Sequence, residues 1–115
     1  MNDLIAINQE LARLCKALAT AVTEYGEAAK FAAEARTAYD VMWAQAMLAT
    51  PDDATQRVKE AMATKVCSVP MLEARVAEAN RDTLKERIKA LEAVLSVQQS
   101  RLRHLEYSET HDNLT

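Results

Sequence analysis

The sequence predicts an all-α chain: a long antiparallel helical hairpin, its second arm kinked near Pro70, that dimerises into a four-helix bundle. Three observations lead there. Apolar residues recur at alternating steps of three and four over most of the chain, the spacing of a coiled-coil seam. One glycine and two prolines in 115 residues leave little that could break a helix. A single stretch, "ATPDDATQ", carries dense turn chemistry. Three separate helices, with a second reversal at Pro70, is the alternative architecture.

The first arm is expected over residues 3–48. Leu4, Ile7, Leu11, Leu14, Leu18, Ala21, Tyr25, Ala28, Ala32, Ala35, Tyr39, Met42 and Ala46 form its seam, and Asn2 or Asp3 can cap its start. Gly26 is its one weak helical residue. A helix of that length measures roughly 70 Å at 1.5 Å per residue. Its middle, "EAAKFAAEARTAYDVMWAQA", is rich in alanine, which suits close approach of another helix.

The turn is placed at residues 49–52. Thr50 reads as a hydroxyl cap, Pro51 as a first-turn residue, and Asp52 and Asp53 as charges at the positive end of the helix dipole. The second arm then runs from about 51 to 107. Its apolar row Val58, Met62, Val66, Val69, Leu72, Val76 and Ala79 continues past Pro70, which argues for a kink there and not a reversal. This row is expected to face the alanines of the first arm. Farther on, Leu84, Ile88, Leu91, Leu95, Gln98, Leu102 and Leu105 form a strict heptad seam. Its phase slips upstream, where continuation would put Arg81 on the seam. Residues 1–107 make one helical domain, and the tail 108–115, without periodicity, is expected to fray.

Composition narrows the function. A net charge of −3 supplies no bulk attraction for nucleic acid. One glycine excludes a P-loop or a dinucleotide-binding glycine motif. Cys15 and Cys67 lie far apart, with only His104 and His111 to join them, so neither a metal site nor a cofactor is expected. Both cysteines fall in apolar-periodic stretches and read as reduced core thiols of a cytoplasmic protein. No apolar run is long enough to span a bilayer, and "MNDLIAINQELARL" lacks the features of a signal peptide.

No nucleophile–base pair or metal cluster can be named, so the chain reads as a non-enzyme. Trp43 beside the seam either caps the hairpin or anchors a partner protein, with Tyr39 near it. Tyr25 and Tyr39, two heptads apart, read as core tyrosines in preference to a ligand clamp. A two-helix hairpin leaves apolar surface to spare. The stripe Ile5, Ala12, Cys15, Ala19, Val22, Ala29 and Ala33 beside the first seam therefore predicts a homodimer or higher oligomer, with Gln98, Leu11, Leu18 and Val22 setting register and association. Arg81, Lys85, Lys89, Arg101, Arg103 and His104 could form a weakly basic edge for phosphates, the basis of an alternative reading as a weak nucleic-acid binder.

The stretch "EANRDTLKERIKALEAVLSVQQSRLR", above all "LKERIKAL" and "QQSRLR", together with an alanine- and tyrosine-rich first arm and a short acidic turn, resembles small helical proteins of phage and prophage early regions. That resemblance implies a bacterial host cytoplasm and a place near replication and recombination genes, and it assigns no site residues. The Trp-x-Gly turn of small secreted helical hairpins is missing, since Ala44 and Gln45 follow Trp43. The expectation is a phage accessory protein acting by protein–protein contact as scaffold, adaptor or inhibitor, within DNA replication or recombination.

Overall fold

The computed structural model describes residues 2–114, with side chains described through residue 110. Three helices follow in order: α1 (Asn2–Ala49), α2 (Gln56–Val66) and α3 (Ser68–Leu114). No strand occurs among the described residues. α1 already includes Asn2, and Asp3 lies in its first turn, where a carboxylate complements the free N–H groups of the helix start. Gly26 is carried inside α1 without a break.

The reversal is longer than expected. Thr50 precedes a proline, and the proline ring disfavours helical backbone in the residue before it. α1 therefore stops at Ala49, and the Thr50 hydroxyl turns back to donate to the Met47 carbonyl at 2.7 Å. The Pro51 carbonyl accepts from the Ala54 N–H at 3.0 Å, closing a turn around Asp52 and Asp53. The cap of the second arm is thus Thr55, not Thr50: its hydroxyl accepts from the Val58 N–H at 3.3 Å, and α2 starts at Gln56 instead of Pro51. Both threonines satisfy the grammar of a helix cap. The one chosen lies past the turn, because the chain must reverse before it can coil again.

The interruption expected at Pro70 sits three residues earlier. Cys67 leaves helical geometry (φ −98°, ψ 14°), while the Cys67 N–H still reaches the Ala63 carbonyl at 2.9 Å and the Met71 N–H reaches the Cys67 carbonyl at 3.0 Å. The break is one residue wide. It places Pro70 in the first turn of α3, where a missing N–H costs nothing. The Ser68 hydroxyl donates to the Lys65 carbonyl at 3.2 Å, covering one acceptor released by the break.

The helices build two compact units, one of residues 25–83 and one of residues 1–24 with 84–115. In the first, α1 buries Ala28 and Ala32, and the second arm buries Ala63, Cys67, Ala74 and Ala77. Ala32 is 1 % exposed and Ala74 0 %, so the buried side chains of this core are small ones, alanines with Cys67 and Thr50. The row expected to fill that role does not. Val58, Met62, Val66, Val69, Leu72 and Val76 are 46–62 % exposed, and Ala79 is exposed as well. The physical reason is fit: the small side chains of α1 leave room only for other small side chains at close helix approach. The supposed phase slip is absent too. Ala63, Cys67, Pro70, Ala74, Ala77, Arg81 and Leu84 continue the downstream heptad, and Arg81 occupies the seam half-buried.

In the second unit Ile7, Leu14 and Ala21 are buried, while Leu4, Leu11 and Leu18 are half-buried. Opposite them run Leu84, Ile88, Leu91, Leu95, Gln98, Leu102 and Leu105, all half-buried. Ile7 shares a depression with Gln98, and Asp3 shares one with His104, which fixes the antiparallel sense.

Three smaller expectations are corrected. Met42 is exposed and Trp43 half-buried in its place, because the apolar face of α1 rotates toward the aromatic ring near its end. Cys15 is exposed, one position outside the seam occupied by Leu14, and only Cys67 is a core thiol; both are free. The tail expected to fray from residue 108 is helical to Leu114. It contains no glycine or proline, and the Thr110 hydroxyl donates to the Glu106 carbonyl at 3.0 Å. Thr115 lies outside the described residues.

Candidate functional site

In the unit of residues 25–83, a polar and aromatic ladder ties α1 to α3. Arg36 donates from its guanidinium to the Glu78 carboxylate in an ion pair that is partly buried. The same guanidinium carbon lies 5.4 Å from the centre of the Tyr39 ring, a cation–π arrangement. Tyr39 in turn meets Trp43, with ring centres 6.2 Å apart and planes tilted by 40°. The hydrogen bond to Glu78 holds the Arg36 guanidinium pKa above its ordinary value, with smaller contributions from the charge of Glu78 itself and from Asp40 and Tyr39. Spacing explains the alignment. Arg36, Tyr39 and Trp43 fall at steps of three and four, so they stack along one side of α1.

Trp43 and Tyr39, the partner-binding candidates, are therefore both half-buried and engaged with each other. Tyr25, the third member of the supposed aromatic set, is half-buried on the seam in the same unit. The ion pair at the foot of the ladder escaped the sequence reading, although a signal existed. With the turn placed, Arg36 and Glu78 flank facing seams with opposite charge.

The six basic candidates fall in two units. Arg81 belongs to the unit of residues 25–83; Lys85, Lys89, Arg101, Arg103 and His104 belong to the other. Arg81 donates from Nε to Asp82 at 3.0 Å, and this bond, with Glu78 and Tyr25 adding less, raises its pKa. Lys89 reaches Glu86 at 3.4 Å and Arg101 reaches Gln98 at 3.4 Å. Arg101 and His104 line an open depression of about 520 Å³ with Asp3, Ser96 and Ser100, whereas Arg103 lines a different one with Gln99 and Leu102. Carboxylates and amides thus interleave with the cations.

The register candidates lie on or beside the seam within the chain. Gln98 sits half-buried on the seam, its side-chain oxygen taken by Arg101. Leu11 and Leu18 are half-buried in the seam of α1, and Val22 is 51 % exposed beside it. The first-arm stripe carries only two large exposed side chains, Ile5 and Val22. Elsewhere on α1 Phe31, Val41, Met42 and Leu48 are exposed, and the second arm carries a file of six from Val58 to Val76 besides Val94, Val97 and Tyr107.

Among the described residues no group of His, Cys, Asp or Glu is placed to hold a metal ion, and no helix is long and apolar enough to cross a membrane. No family model matches the chain, and comparison with curated proteins and with solved structures returns no match.

Proposed function

We propose that this chain is a non-enzymatic helical interaction protein that acts by protein–protein contact, as scaffold, adaptor or inhibitor, and associates with itself. The single observation that carries this reading is the exposed row Val58, Met62, Val66, Val69, Leu72 and Val76. Scattered exposed apolar side chains are ordinary on a protein surface, but a contiguous file of six on one helical arm is a contact surface. Helix faces with anchors at such spacing are a recurrent mode of recognition between helices. The placement in a phage or prophage early region, near DNA replication or recombination in a bacterial cytoplasm, is part of the same proposal. It rests on the "LKERIKAL" and "QQSRLR" stretches.

Affinity capture from bacterial extract tests the reading. The full chain is used as bait alongside Leu72→Glu and Trp43→Ala variants of unchanged helicity. A partner retained by the parent chain and lost from Leu72→Glu supports it. Equal recovery with all three baits, or nothing above the resin control, overturns it. Loss from Trp43→Ala alone would move the contact to the aromatic ladder near the turn.

A further inference from the structure

We infer that the exposed row of the second arm is the face on which two copies of this chain pair, antiparallel, about a two-fold axis passing close to Cys67. The inference deepens the interaction reading above by naming the partner and the surface.

Three features of the row support a second copy of the same chain as its occupant. The row is near-palindromic in side-chain size. Counting outward from Cys67, Met62 answers Leu72 at five residues and Val58 answers Val76 at nine, while Val66 and Val69 flank the centre at one and two residues. An isologous interface needs this property, because the same patch must be its own complement under the two-fold rotation. In the antiparallel pairing Val58 of one copy lies over Val76 of the other, Met62 over Leu72, and Val66 over Val69.

The charges at the margin are complementary under the same operation. Lys59 follows Val58 by one residue and Glu73 follows Leu72 by one, so both step off the row toward the same side, by about 100° on a helix. A two-fold axis lying across the row preserves that side, so Lys59 of each copy comes opposite Glu73 of the other. Their offset along the axis is about 3 Å, within the reach of a lysine side chain. Neither residue is spent within the chain. Ion pairs such as Glu10–Arg13, Arg36–Glu78, Arg81–Asp82 and Glu86–Lys89 involve neither of them.

The area is in the range of a reversible dimer. The row spans roughly 28 Å at 1.5 Å per residue. Six side chains at 46–62 % exposure amount to on the order of 1,000 Å² counted over both copies, the threshold for a specific interface. An interface of this size is smaller than that of an obligate dimer. The break at Cys67 also has a use here. It divides the row into two helical halves meeting at the axis, with Val66 and Val69 on either side.

The experiment is a charge swap read as molecular mass on purified full-length protein. Sedimentation equilibrium from about 5 to 500 µM should give a monomer–dimer equilibrium for the parent chain. Leu72→Glu should weaken it at least tenfold. Lys59→Glu and Glu73→Lys should each weaken it alone. An equimolar mixture of those two variants should recover a heterodimer near parental affinity, because every facing pair again joins opposite charges. Circular dichroism confirms that each variant remains helical, and Ile5→Glu serves as control on the first-arm stripe.

Parent protein that is monomeric throughout overturns the inference, while the capture experiment above decides separately whether the row binds a different protein. Dimers that survive Leu72→Glu but dissolve with Ile5→Glu also overturn it, and would place the interface on the first arm. Failure of the mixed variants to recover would reject the antiparallel register.

Discussion

Gly26 lies inside α1 with ordinary helical backbone, and a methyl group added there would meet no heavy atom within 4 Å. Gly26→Ala should therefore stabilise the chain by about 0.5–1 kcal/mol, through helix propensity and a less flexible unfolded state. Urea titration measures it, and any loss of stability would contradict the open surroundings. Ala74 is the opposite case. It has no exposed surface, and its counterparts on α1 are alanines, so Ala74→Leu should cost about 1–3 kcal/mol by overpacking. Ala33→Leu, on the exposed side of α1, should stay within about 0.5 kcal/mol. The ladder offers a third measurement. A double-mutant cycle of Arg36→Met with Glu78→Gln should give a coupling above experimental error, because this pair joins two helices and the arginine also lies over Tyr39. The same cycle on Arg13 and Glu10, neighbours on the exposed surface of one helix, should give almost none.

At the scale of elements, the one-residue break at Cys67 and the proline three positions later have a single physical account. A proline deep inside a helix would cost about 3 kcal/mol, so Pro70→Ala in such a place would be strongly stabilising. Here Pro70 stands in the first turn of α3 with no hydrogen bond to lose, and Pro70→Ala should change stability by less than about 1 kcal/mol in either direction. A gain near 3 kcal/mol would show the ring to be strained. The long helices, their heptad seams and the single reversal were legible in the residues, because propensity and period act locally. The start of the second arm was not. Thr50 and Thr55 are equally good caps as residue types, and the turn around Asp52 and Asp53 decides between them.

At the scale of the whole molecule, the two largest fully buried side chains among the described residues are Leu14 and Cys67, a small core for 115 residues. A protein of this kind gains stability when an exposed apolar face is covered. Its thermal midpoint should therefore rise with protein concentration, while that of Leu72→Glu should not, as calorimetry at two concentrations a hundredfold apart will show. The amino-acid sequence alone determined that the chain is helical, that it reverses once, and that α1 turns Leu4 through Ala35 toward a partner helix. Each follows from backbone preference and a period that any single helix expresses. Only the tertiary structure decided which face of the second arm meets those alanines. Ranking by hydrophobicity selects Val58 through Val76, but Ala63, Cys67, Ala74 and Ala77 are the ones that fit. Burial rewards shape match between two surfaces as well as apolar character, and a match exists only once both surfaces are in place.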